Sequence, residues 1–349
     1  MDVDWFQVLI IVVVVLILLL VCTRHRRKID VTKKVIVEEE IVTTQTSFQT
    51  HTMTQRVFDD VDRADRITVT QQTKTMAERA EHAPLSRHAN SMMQIFNTTD
   101  LKVVAEEFNS LDEVSSAIRK AGLEHCNLIF GVDYTASNYQ QGKKTFGGKC
   151  LHDIEPNEQN PYQKVIAVLG ETLEPFDSDG AIPAFGFGDM TTRDKSIFSL
   201  KTDGLCKSFK EVLQIYNNIT PRVRLSGPTN FAPLIRQAIG IVKAAKTYNI
   251  LVIVADGQVT SERETIESIE EASNYPMSII MVGVGDGPWD TMDEFDQKLP
   301  SRLFDNFHFV NFSEVTSNVK NANSSFALHA LMEIPDQFKS IKELGLLKM

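Results

Sequence analysis

Three short stretches of this chain gather oxygen donors where a bound ion could use them. They are Asp133-Tyr134-Thr135-Ala136-Ser137, the turn Gly227-Pro228-Thr229, and Ala255-Asp256-Gly257. Together they offer two carboxylates and three hydroxyls, with no sulfur and no imidazole. That hard-ligand set suits Mg²⁺ or Mn²⁺ with some of its waters retained. In the D-x-T-x-S pattern, alternate residues at a turning strand end can point to one side. Asp133 would then supply charge through water, while Thr135 and Ser137 coordinate directly. Thr229 would arrive from a second loop and Asp256 from a third. Only two carboxylates leave the ion electrophilic and one position open. A protein partner offering an acidic side chain could fill it.

Other chemistries fit the residues less well. A strand-end aspartate also serves phosphoryl transfer in enzymes of the haloacid-dehalogenase type, but those need a second acid where this chain has Thr135. No G-x-S-x-G nucleophile elbow is present. The run GVGDG lacks the GxxxxGK[ST] spacing of a phosphate loop. Four separated cysteines make neither a disulfide framework nor a zinc pattern. His152 and His308 are isolated in sequence and suggest no catalysis. No enzyme activity and no small-molecule substrate are expected. Asp286, Asp290, Asp293, Glu294 and Asp296 read as a solvated acidic loop and helix start, with a second cation site as the alternative. Trp289 and Asp290 inside that loop are the candidates for direct partner contact, against a packing role for the tryptophan.

The elements that must position these residues alternate between strand and helix. Asn127–Asp133, Ala181–Asp189, Asn249–Gly257 and Met277–Asp286 read as apolar strands, with Asp305–Phe312 as an edge strand. Pro161–Glu171, Ser208–Asn218, Phe231–Ala245, Ser261–Asn274 and Ser325–Leu344 read as helices. Strands apolar throughout must be covered on both faces. The pattern predicts an α/β domain with a doubly wound, mainly parallel sheet and helices on both faces, Rossmann-like in layout. Ligands in such sheets sit beyond the carboxyl ends of the strands, where all three oxygen-donor stretches fall.

The rest of the 349 residues sets the expected context. A net charge of −10 argues against nucleic-acid binding. Trp5 to Cys22 is almost uniformly apolar and is followed by Arg24, Arg26, Arg27 and Lys28. As a helix it would span roughly 27 Å, which predicts an N-terminal transmembrane helix over residues 5–23 after a short N-terminus, 1–4. The basic block places everything after it in the cytosol. Residues 24–98, rich in Thr and Gln, read as a juxtamembrane block and tether, and residues 99–349 as the folded domain. The expected location is therefore a membrane, in a single pass, with the domain cytosolic. An extracellular adhesion protein of inverted topology is an alternative, with Asn97, Asn218, Asn311 and Asn323 then open to glycosylation.

D-x-T-x-S, the G-P-T turn and the strand-end Asp-Gly, in this order, resemble the metal-ion-dependent adhesion site of von Willebrand factor A (VWA) domains. NLIFGVDYTASN, AFGFGD, LSGPTNFAPLI, VIVADGQVT, VGVGDGPWDTMDEFD and ALMEIPDQFKSIKELGLL are similar to the copine-type A domain, in the variant found in RING ubiquitin ligases. The similarity runs from about Phe108 to Leu347. It implies a VWA fold, a divalent ion on Asp133, Thr135, Ser137, Thr229 and Asp256, and a role as a protein-binding scaffold or adaptor. A link to a ubiquitin-ligase pathway is the alternative. The two C2 domains of copines and the RING cluster of the ligase relatives have no counterpart in this sequence.

Overall fold

Three seven-residue runs, Asn127–Asp133 (β1), Asn249–Ala255 (β4) and Met277–Gly283 (β5), are buried at every position. The computed structural model describes residues 91–96 and 101–347 except 203, 258 and 300, and all of these belong to one compact unit. In it β4 lies between β1 and β5, parallel to both. β2 (Ala184–Phe187) pairs parallel on the other side of β1, and β3 (Ile197–Ser199) pairs antiparallel to β2. β6 (Phe307–Asn311) closes the far edge parallel to β5. The sheet is thus mixed, in the order β3-β2-β1-β4-β5-β6.

Successive side chains of a strand point to opposite faces, and the core divides accordingly. Leu128, Phe130 and Val132 of β1 join Ile250, Val252 and Val254 of β4 in one hydrophobic cluster. Ile129, Leu251, Ile253, Ile279 and Met281 form the other. The first cluster is covered by α3 (Leu111–Ala121), α4 (Pro161–Leu173), α5 (Phe209–Ile219), α10 (Ala322–Leu331) and α11 (Ile334–Glu343). Two short helices, α1 (Ser91–Phe96) and α2 (Leu101–Glu107), add Met92 and Val104 to it. The second is covered by α6 (Ala232–Ala245), α7 (Glu262–Ala272) and α8 (Asp290–Lys298). A further short helix, α9 (Phe312–Thr316), follows β6 directly.

Local chemistry starts these helices where they are needed. Asn160 and Gln163 form a reciprocal capping box with Pro161 in the first turn of α4. Ser208 accepts from the Glu211 N–H at the start of α5. Gly131 of β1 has a different task. A Cβ there would stand 2.1 Å from Leu234 Cδ2, so the missing side chain lets α6 seat against the sheet.

Some elements differ from the sequence expectation. The strand expected over 181–189 keeps only four paired residues, because Ile182 and Asp189 are diverted into single bridges with Cys206 and Leu225. The helix expected over 325–344 is two helices, α11 restarting with Pro335 in its first turn. The expected N-terminal transmembrane helix and single-pass membrane location are corrected. No helix among the described residues is long and apolar enough to cross a membrane. α6, at 14 residues, rises about 21 Å and is amphipathic, against about 20 apolar residues for a span. Residues 5–23, and 24–90 of the tether expected over 24–98, lie outside the described residues, whereas 91–96 of that tether form α1 and place Met92 in the core.

Candidate functional site

The sheet order reverses between β1 and β4. From β1 the neighbours run to β2 and β3, and from β4 to β5 and β6. At such a switch the loops beyond the two carboxyl ends part and leave a crevice. Asp133 is the last residue of β1, and Asp256 follows the last residue of β4. Both are buried, at 0% and 1% exposure.

Hydrogen bonds draw these acids and the D-x-T-x-S hydroxyls into one group. Ser137 Oγ donates to Asp256 Oδ1 at 2.9 Å, and Thr135 Oγ1 reaches the same oxygen at 3.4 Å. The two hydroxyls lie 2.9 Å apart. The Thr135 N–H donates to Asp133 Oδ1 at 2.7 Å. The other oxygen of each acid, Asp133 Oδ2 and Asp256 Oδ2, is buried without a hydrogen-bond partner. Burial, reinforced by the charge of Asp256, pushes the Asp133 carboxyl well above the usual range. Burial likewise raises Asp256 to about 6, against hydrogen bonds from Ser137 and Thr135. Two desolvated carboxylates with unused oxygens are costly unless positive charge meets them.

Thr229 lies on the adjoining turn. Ser226 ties that turn to the first loop, donating its N–H to the Tyr134 carbonyl at 3.1 Å and accepting from the Ala136 N–H at 2.6 Å. Thr229 itself is 8% exposed and exchanges backbone bonds with Thr260, whose hydroxyl both accepts from the Thr229 N–H and donates to its carbonyl. Gly188 closes the crevice from β2. Its φ of 78° is left-handed, and a Cβ would come within 2.5 Å of Thr135 Cγ2 and 3.2 Å of Asp133 Oδ1. Asp189, next in line, turns aside to accept from Thr191 and Thr192.

A layer behind Asp133 and Thr135 fixes their backbone, and the sequence reading missed it. His152 Nε2 donates to the Asp133 carbonyl at 2.7 Å, and its Nδ1 accepts from Tyr216 Oη at 2.8 Å. The acceptor-only carbonyl sets this tautomer. The ring stacks between Tyr134 and Tyr162, with centroids at 4.7 and 4.1 Å. Burial pulls the His152 pKa down to about 3, so the ring is neutral. Asn138 donates to the Thr135 carbonyl and accepts from Tyr162 Oη. A lone histidine and scattered tyrosines carry no spacing signal. The one sequence signal that could have pointed to Gly188 is its place just before Asp189 at the end of the run AFGFGD.

The acidic loop lies on the same rim. Asp286 accepts from the backbone N–H groups of Lys144 and Thr145, close behind the D-x-T-x-S stretch. Trp289 is half-buried against Phe309, with ring centroids 5.5 Å apart, while Asp290 is exposed.

Residues 150–349 match the family described as Copine. Copine family protein 2 of Caenorhabditis elegans is 58% identical over 245 residues, which are 69% of this chain and 3% of that protein. E3 ubiquitin-protein ligase RGLG4 of Arabidopsis thaliana is 48% identical over 292 residues, covering 78% of this chain and 72% of the ligase. Among solved structures, von Willebrand factor type A from Catenulispora acidiphila aligns with a TM-score of 0.38 at 14% identity, over 62% of this chain and 43% of that one. The chain spans only a small part of the nematode relatives it matches, 3% and 24% of their length. By its 200-residue family match and by a relative that it covers over more than two thirds, this chain belongs to the copine family.

Proposed function

We propose that the domain binds protein partners through a divalent ion at the β1–β4 crevice. The single observation that carries this reading is the pair of buried acids, Asp133 and Asp256, each with an unpartnered oxygen. Asp133, Thr135, Ser137, Thr229 and Asp256 would hold Mg²⁺ or Mn²⁺, as all-oxygen donors suit a hard cation. A bound dication supplies the charge these acids face and an open position for a partner's carboxylate. Ser137 and Thr135 orient Asp256, and His152 holds the Asp133 backbone from behind. Trp289 and Asp290 would extend the contact surface along the same rim, Asp290 as the exposed member. The domain then acts as a scaffold or adaptor rather than as an enzyme. Residues 99–349 constitute the binding domain in this reading.

A second reading places this binding in a ubiquitin-ligase pathway. It draws on the 48% identity to a protein named as an E3 ubiquitin-protein ligase. The domain would then present substrates to a separate ligase.

Thermal melting of the full chain in Mg²⁺, Mn²⁺ or EDTA tests the first reading. Binding to the native state stabilises by about 2.7 kcal/mol at 100 times Kd. The expected outcome is a rise in Tm with metal for wild type and none for Asp133→Ala, with both proteins folded in EDTA. A wild-type Tm indifferent to both metals rejects the ion, and partner capture undiminished by EDTA rejects the mechanism.

A further inference from the structure

A second group of ligand atoms sits at the β6 edge of the sheet, away from the central all-oxygen crevice. His308 of β6, Asp296 of α8 and Glu333, which precedes α11, each offer one atom, all within 4.8 Å of one another. His308 Nδ1 lies 3.6 Å from Asp296 Oδ1 and 3.3 Å from Glu333 Oε2. Tetrahedral zinc with bonds of about 2.0–2.1 Å separates its ligand atoms by about 3.3–3.4 Å. The two separations from His308 Nδ1 are therefore close to those of a zinc site, and the third pair lies within 4.8 Å.

The histidine is held ready for such an ion. It is 8% exposed, and its Nδ1 is buried without a hydrogen-bond partner. Its Nε2 lies 2.8 Å from the His329 carbonyl, which can only accept, so Nε2 carries the hydrogen. This backbone contact aims Nδ1 at the two carboxylates, in the way that outer-shell partners orient metal-bound imidazoles. Something positive must lie between a ring nitrogen and two acids. A proton would draw the atoms to about 2.7–2.9 Å, the span of a charge-assisted hydrogen bond. The observed 3.3 and 3.6 Å are longer than that and leave room for an ion among the three groups.

The surroundings agree in charge and in support. Asp296 Oδ1 accepts from the Phe309 N–H at 3.0 Å, which fixes that carboxylate. Arg302 pairs with Asp305 at 2.7 Å, so these neighbours cancel. Asp296 and Glu333 place two carboxylates against the ring, and a dication bound there in place of a ring proton would balance them. Their side chains are 26% and 33% exposed, enough for an ion to enter and for water to take a fourth position. Imidazole with carboxylate favours zinc over magnesium, unlike the crevice ligands.

We propose that Asp296, His308 and Glu333 form a zinc site that ties α8, β6 and the start of α11 together. Equilibrium dialysis of the full chain against Zn²⁺ alone tests it, with Asp133→Ala as the background so that the crevice does not contribute. The expected result is one zinc per Asp133→Ala chain, with affinity reduced at least ~10-fold by Glu333→Gln and by His308→Gln. Replacement by Co²⁺ should add a visible absorption band of tetrahedral type that Glu333→Gln removes. Should His308→Gln fail to fold, Glu333→Gln decides, since it keeps the shape of the side chain. An Asp133→Ala chain that takes up no zinc, or that binds it equally well after Glu333→Gln, overturns the proposal in favour of a protonated His308 paired with two acids.

Discussion

His152 carries much of the precision of the crevice without facing it. Its Nε2–H holds the Asp133 carbonyl, so the backbone of this strand-end acid is anchored from behind. Its pKa, held near 3 by burial, lies below the ordinary value of about 6.5. The unfolded chain takes up a proton between these two values and the folded chain does not. The stabilisation is therefore complete above about pH 6.5 and is lost as pH falls toward 3, at up to about 1.4 kcal/mol per pH unit. Asp256, raised to about 6, contributes with the opposite sign between its unfolded value and 6. The comparison to make is thus a difference. Urea unfolding of wild type and His152→Gln from pH 7 to pH 4.5 should show a shallower loss toward acid in the variant. Equal slopes would mean that His152 titrates normally in the fold. At this scale the strand-end acids and hydroxyls were legible in the sequence, because D-x-T-x-S and Asp-Gly end apolar runs. His152, Tyr162 and Tyr216 were not, because they converge from a loop and two helices with no shared spacing.

Seven-residue apolar runs and capped helices made most elements legible, and contacts between elements account for the misses. β3 has only three residues and exists because β2 offers it an edge. The break between α10 and α11 follows Pro335, which suits a first helical turn better than a helix interior. Gly131 is an element-level feature read only from the packing, since nothing in NLIFGVD announces which residue α6 will cover. Gly131→Ala would drive a methyl group into Leu234. The expected destabilisation is about 1–3 kcal/mol, the usual effect of overpacking. A double-mutant cycle with Leu234→Ala should show that the two effects fail to add, because the truncated side chain no longer opposes the methyl group. Strict additivity would place the strain elsewhere.

For the whole molecule, the α/β class and the two covered faces followed from the strands being apolar throughout, whereas the mixed character of the sheet depended on an antiparallel strand too short to see. The apolar stretch at residues 5–23 shows the opposite hazard. It suggested a membrane span by its length, its apolar run and the basic block after it; it lies outside the described residues, and no described helix is long and apolar enough for one. A sheet buried at its centre and short at its edges should also open unevenly. Hydrogen exchange is expected to be slowest at the amides of Leu251–Val254 and Ile279–Val282, near the rate of global unfolding, and much faster across β3. Comparable protection at both places would mean that the sheet opens as one unit. Strands such as NILVIVA and MSIIMVG, uncharged and rich in β-branched residues, are the kind that stack into fibrils when an edge is left open. β6 shields them on one side, and the outward-facing N–H of Phe309 on that strand is already occupied by the Asp296 carboxylate. A second chain approaching this edge meets a charge where it would need a free amide. The contact that orients Asp296 therefore also guards the molecule against edge-to-edge aggregation.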